Sequence, residues 1–244
     1  MIHAEQTTEV LPDPPGTVHA PSVSDLPNGY SYGVTRYADL IVREAFPNRY
    51  DDLISVLDGY CIGVGELLQG GGSRSTMAKR FDGALKERGW GKRNIKVSKL
   101  IDDKPIFDVR GHEIDMFAAK SEHDPYPGIA IEMEWNNKDP FFDRDLNNFA
   151  ALHREGALAV GVILTRGPEL QRYVSRVIKT SEKETSMKYG ASTTHWNKLI
   201  PRINLGGGGE CPILVIGIEP ERVDDFHYIR AAFEEGRKLW PGAV

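Results

Sequence analysis

The sequence predicts an α/β protein with a central mixed β-sheet flanked by helices on both faces. Three observations lead there. Apolar residues recur at helical spacing between residues 36 and 90, a run of period-two segments follows to residue 135, and helices and strands then alternate to the end. At 244 residues, with 40% apolar and 27% charged side chains, the chain has the length and composition of an ordinary globular protein with a sizeable core.

Residues 1–34 hold five prolines between Pro12 and Pro27 and little apolar periodicity, so they are expected to form an irregular arm ahead of one domain over 35–244. RYADLIVREAF, from Arg36, and RYDDLISVLD, from Arg49, pattern as helices. In GVGELLQGGGSRSTMAKRFDGALKERGW the triplet Gly70–Gly72 breaks the pattern. Ser75 then stands where it can cap a helix carrying Met77, Phe81 and Leu85 at i, i+4, i+8. The triplet is not a phosphate loop, since no Gly-Lys-Ser/Thr follows it. NIKVSKL, PIFDVRG, HEIDMFAA, GIAIEMEW and ALAVGVILTR read as strands, punctuated by Gly111, by DPYPG (124–128) and by one helix, FFDRDLNNFAALHREG. A helix near 168–179, a polar stretch to about 197, the strand CPILVIGI and a final amphipathic helix over 224–240 complete the chain. The longest apolar stretch, ALAVGVIL, is far too short to cross a bilayer, and the opening MIHAEQTTEVLPDPP has no basic region followed by an apolar run. No membrane association or secretion is expected, so Cys61 and Cys211 read as free buried thiols in a reducing cytoplasm.

A net charge of −5 argues against a nucleic-acid partner only on average. Residues 74–99 contain nine Lys or Arg against two acids and residues 172–198 six against two, whereas the first 59 residues contain nine acids against three bases. Segregation of this kind permits a basic cleft for a polyanion on a protein with an acidic back.

GIAIEMEWNNKDP (128–140) carries the chemistry. As a strand it puts Ile129, Ile131, Met133 and Trp135 on one face and Ala130, Glu132 and Glu134 on the other. Two carboxylates side by side repel, and without a cation one of them holds a proton near neutrality. A solvated acidic face on an edge strand is one reading; a metal site is the other. Asp115, in HEIDMF, lies seventeen residues before Glu132, and two strands joined by a hairpin would set it beside Glu132. Three converging carboxylates suit Mg²⁺. Zinc fits less well, because His112 and His123 have no ligand-like spacing with cysteine and no HExxH occurs.

The string HEID…AIEMEWNNKDPFFDRDL, followed by VGVILTR, resembles the BamHI/BglII-like type II restriction endonucleases of the PD-(D/E)xK nuclease superfamily. The resemblance is dense from about Glu66 to Arg166 and thinner beyond. It implies a restriction-endonuclease-like core over about 60–166 within a single endonuclease domain. By the same resemblance Asp115, Glu132 and the Met133 carbonyl would hold Mg²⁺, with Mn²⁺ as a substitute. Glu134 stands where most of the superfamily has a lysine and would position or deprotonate the attacking water. The family also draws an acid from a preceding helix. Glu66 is the candidate, against a plain surface glutamate, with Glu87, Asp102 and Asp103 as alternatives.

The expected activity is Mg²⁺-dependent hydrolysis of double-stranded DNA at a palindromic site, leaving 5′-phosphates and 5′ overhangs. A symmetric homodimer, a companion DNA methyltransferase and a prokaryotic cytoplasm come with it. Asn136 and Asn137 are suited to bidentate pairing with adenine and Lys138 to phosphate contact. Asp139 accepts a hydrogen bond or caps the next helix, while Arg144 forms an ion pair with Asp145, meets the partner subunit or reads a base. Ser192, Thr193, Thr194 and His195 are either a recognition loop, with Lys179, Ser181, Lys183 and Lys188 lining the same groove, or a helix cap over a core Trp196. GGGG (206–209) reads as a turn.

Two other classes remain in view. A catalytically silent, sequence-specific DNA-binding protein would have lost a carboxylate, yet all three are present. A glycoside hydrolase also pairs carboxylates, but normally lines its cleft with aromatic residues, where this strand leads into Asn-Asn-Lys.

Overall fold

A computed structural model describes residues 16–69, 75–108 and 111–242. The first 15 residues of the expected arm, the triplet Gly70–Gly72, and Val109 and Arg110 of PIFDVRG lie outside the described residues.

In chain order the elements are β1 (Tyr30–Val34), α1 (Ala38–Ala45), α2 (Pro47–Gly59), β2 (Ile62–Gly63), α3 (Val64–Leu68), α4 (Thr76–Lys86), β3 (Gly91–Ile95), β4 (Ser98–Ile101) and β5 (Lys104–Asp108). They continue with β6 (His112–Ala118), β7 (Gly128–Met133), α5 (Phe141–Arg154), β8 (Leu158–Arg166), α6 (Pro168–Val177), α7 (Trp196–Asn204), β9 (Ile213–Ile218), β10 (Val223–Asp224) and α8 (His227–Glu234). Six strands form one mixed sheet in the order β1-β9-β8-β7-β6-β3. β7, β8 and β9 are parallel, joined by helical crossovers, while β1, β6 and β3 run antiparallel to their neighbours. The predicted α/β class and mixed sheet are thus present.

The alternation in β7 decides which helices cover which face. Ile129, Ile131, Met133 and Trp135 belong to one core, shared with α1, α2, α3, α4, α6 and α8, and Ala130 belongs to the other, shared with α5 and α7. Helices therefore lie on both faces. Ser75 caps α4 through a 3.1 Å bond from Ala78 N–H, and Met77, Phe81 and Leu85 are buried as the spacing predicts.

Four expectations differ. Tyr30–Val34, assigned from sequence to the irregular arm, is an edge strand whose partner, β9, lies nearly the whole chain away. NIKVSKL is not one strand. β3 pairs with β6, whereas β4 and β5 form a separate ribbon turned at Asp102 and Asp103, both in the left-handed region that hairpin turns require. The last helix is only His227–Glu234, ended by Gly236 at φ 68°. Cys61 is only partly buried, whereas Cys211 is buried as expected; both are free thiols. No helix among the described residues is long and apolar enough to cross a membrane.

Candidate active site

The site starts from the register of β6 against β7. Met116 faces Ile131 across the ladder, and one step further the Asp115 N–H donates to Glu132 Oε1 at 3.1 Å. The hairpin inferred from spacing does bring Asp115 beside Glu132. The edge-strand alternative is overturned: β8 pairs along the other side of β7, and Glu132 and Glu134 are 4% and 3% exposed. Burial pushes the Glu132 carboxyl up to about 9, with the charges of Asp145 and Asp115 adding to the effect. Glu134 rises too, first from burial and then from Asp145.

Asp145 is the acid that sequence reasoning did not place in the site. It is 1% exposed on α5, and its Oδ2 is buried without a hydrogen-bond partner among the described residues. A signal existed: Phe142, Asp145, Leu146 and Phe149 share the buried stripe of α5, and an acid on such a stripe needs a partner. That partner is Arg144, whose Nη2 lies 2.7 Å from Asp145 Oδ1 and 3.3 Å from Glu134 Oε1, with its guanidinium over the Phe141 ring. Of the three roles open to Arg144, the local ion pair is the one observed. Asn137 completes the surroundings of Glu134 by donating from Nδ2 to Oε2 at 2.7 Å.

These groups sit beside a cleft of about 520 Å³ at the C-terminal end of β7, lined among others by Glu66, Asp115, Met133, Glu134, Asn137 and Arg144. Glu132 is not part of this lining, though it is joined to Asp115, which is. Glu66 also lines the cleft, but both its oxygens are engaged: Arg80 Nη1 and Nη2 lie at 2.7 and 3.0 Å, and Gly63 N–H donates at 3.0 Å. None of its alternatives lines the cleft. Glu87 ends α4, and Asp102 and Asp103 sit at the exposed tip of the β4–β5 ribbon.

Hard oxygen donors dominate this end of β7, and three buried acids share one guanidinium, so the donor chemistry fits a divalent cation. The placement is not yet a cage. Among the described residues no three His, Cys, Asp or Glu side chains are arranged to hold an ion as they stand, and Arg144 is the cation lying against Glu134 and Asp145.

The two segments expected to meet DNA run side by side. Lys138 bridges Thr193, Thr194 N–H donates to Asn137 O at 2.9 Å, and Asp139 N–H donates to Ser192 O at 3.0 Å. Asn137, Lys138 and Ser192 are exposed; Asn136 is partly buried, its Oδ1 without a hydrogen-bond partner among the described residues. Thr194 is fully buried and accepts from Asn137 N–H, while Thr193 accepts from Arg166. His195 is 6% exposed at the N-cap position of α7, though its side chain caps nothing. Burial and the Arg166 charge push its ring down to about 4. The reading of Asp139 as a helix cap is corrected: Pro140 takes that position, and the Asp139 carboxylate pairs with Arg202 and Lys198 of α7. Lys188 lines the cleft, donating from Nζ to Leu67 O at 2.7 Å and to Gln69 O.

A comparison with curated protein sequences finds no match. The family model described as restriction endonuclease BglII/BglIII matches residues 30–218, which spans the sheet from β1 to β9 and every residue of the cleft. The chain therefore belongs to the BglII/BglIII family of restriction endonucleases, nucleases that cut DNA at specific sequences.

Proposed function

We propose that this protein is a Mg²⁺-dependent type II enzyme acting as a homodimer on a palindromic site and leaving 5′-phosphate ends with 5′ overhangs. The observation that carries the reading is the β6–β7 register, which gives Asp115 and Glu132 one shared position beside a cleft that Glu134 also lines. Asp115, Glu132 and the Met133 carbonyl would hold a divalent ion, with Glu66 as the further acid lining the cleft. When bound, such an ion supplies a Lewis acid for the phosphate and acidity for a nearby water. Glu134 orients and accepts a proton from the attacking water, and Asn137 holds its carboxylate in place. Asn136, Asn137, Lys138, Asp139 and Arg144 meet the DNA on one side and the 192–195 segment on the other, with Asn137, Lys138, Arg144 and Ser192 as the exposed contacts and the Thr193 hydroxyl held by Arg166 and Gly190 instead of offered to DNA. A methyltransferase of the same specificity protects the host genome.

Exchange of cations at Glu134 follows from this. Arg144→Ala removes the charge that competes with the ion, so divalent binding measured by titration calorimetry without DNA is expected to tighten by about tenfold at low salt. Unchanged or weaker affinity would show that the guanidinium and the ion do not compete.

The deciding experiment is digestion of long, unmethylated, mixed-sequence DNA with Mg²⁺, followed by sequencing of the ends. Discrete fragments sharing one palindromic end, absent with chelator and with Glu132→Ala, are expected. Specific binding without cleavage would instead favour the silent DNA-binding reading. Binding should also weaken steeply with salt, which sugar binding would not.

A further inference from the structure

Among the described residues Arg166 is the bulkiest of the fully buried side chains, at 0% exposure. It ends β8 at the point where β7 leaves the ladder. The Glu134 N–H still donates to Leu164 O at 2.9 Å, but the carbonyls that follow are met by side chains. Thr165 Oγ1 donates to Glu134 O at 2.7 Å, and Arg166 Nη1 donates to Trp135 O. The same guanidinium donates from Nη2 to Thr193 Oγ1 at 2.7 Å and from Nε to Gln171 Oε1 at 2.7 Å. It also lies against the rings of Tyr189 and Trp135, 4.8 and 5.6 Å from their centroids. Gln171 Nε2 in turn donates to Tyr189 O, and Tyr189 Oη donates to Leu67 O, next to Glu66.

All three acceptors of the guanidinium are neutral oxygens. A cation buried without an acid carries a desolvation cost that an apolar side chain of similar volume would avoid. What arginine offers in return is geometry: a rigid plane of N–H donors that reaches the strand exit, the 190–195 segment and α6 at once.

We propose that Arg166 is a positioning residue that ties the segment bearing Thr193 to the exit of β7, so that seating this segment on DNA sets the working position of Glu134. The proposal rests on the nuclease reading above. Lysine at this position keeps the charge but cannot serve three divergent acceptors, and valine at 193 removes the hydroxyl that links the segment to the guanidinium.

The test uses the cleavage site found with the native protein. Single-turnover cleavage with Mg²⁺, and binding to the same site in chelator, are measured for the native chain, Arg166→Lys, Thr193→Val and the double variant. Each single variant should cleave about ten- to a hundredfold more slowly, with Kd within about threefold of native, because misplacement of a reacting group acts on rate rather than on binding. The double variant should be no slower than the slower single, since both act through one link. Losses that multiply, that appear only in Kd, or that are absent would each overturn the proposal. If Arg166→Lys does not fold, Thr193→Val decides alone through its split between rate and binding. A native protein that cuts no DNA sinks the nuclease reading and this proposal with it, whereas native cutting with unaltered variants sinks the proposal only.

Discussion

Glu132→Gln is expected to abolish DNA cleavage and, without metal at alkaline pH, to raise the stability of the protein. Both effects have one cause. Glu132 is 4% exposed, and burial holds its carboxyl up at about 9 against an ordinary 4.5, with Asp145 and Asp115 adding to the shift. A carboxyl whose folded pKa is raised contributes its full stability below the unfolded value and loses it as pH climbs through the folded value. The window therefore runs from about 4.5 to about 9, and by about pH 8 the loss is on the order of 5 kcal/mol. Glutamine carries no charge and escapes it. A divalent ion reverses the ranking, stabilising the native chain by mass action and the variant much less. Cleavage should fall by about a thousandfold or more, because the carboxylate proposed to anchor the Lewis acid is gone. Thermal melts near pH 5.5 and pH 8.5, with chelator and with Mg²⁺, check the stability part. Parallel pH dependence in the two proteins would sink it.

Gly161→Val is expected to cost roughly 3 kcal/mol or more, or to prevent folding. Gly161 lies inside β8, paired with both neighbours, and a Cβ built there stands 2.2 Å from Phe149 Cδ2 and 2.6 Å from Cε2. Phe149 is fully buried on α5, so the ring has no free rotamer to retreat into. The remaining way out is to lift α5 from the sheet, and α5 carries Arg144 and Asp145 against Glu134. Even Gly161→Ala should therefore lower both the urea midpoint and the cleavage rate, and Phe149→Leu in the same chain should recover part of each. A Gly161→Ala midpoint equal to the native one would mean that the α5–β8 contact gives way easily.

The legible part of this protein was its local geometry. Alternation along 129–135 assigned side chains to the two faces as they are found, and the seventeen-residue gap from Asp115 to Glu132 anticipated their pairing. The capping of α4 by Ser75 was equally visible. The resemblance to a nuclease family arose from the same stretch, and the family match covers it. Less was visible where partners are remote. Tyr30–Val34 is short, follows prolines and has weak alternation, and it becomes a strand because β9 offers an edge. Asn137 and Thr194, whose residue types suit reading bases, spend hydrogen bonds within the protein.

By itself, then, the sequence determined the α/β class, the strand that bears Glu132 and Glu134, and the acid that joins them from the neighbouring strand. Only the tertiary structure decided that β7 is central, that Asp145 and Arg144 close over its carboxylates, that Arg166 holds its exit, and that Phe149 needs a glycine beneath it. The division has a physical origin. Spacing along a strand or across a hairpin is set by covalent geometry and a short loop, which the order of residues records. The approach of one element to another is set by packing among side chains far apart in the chain, and residue order does not record it.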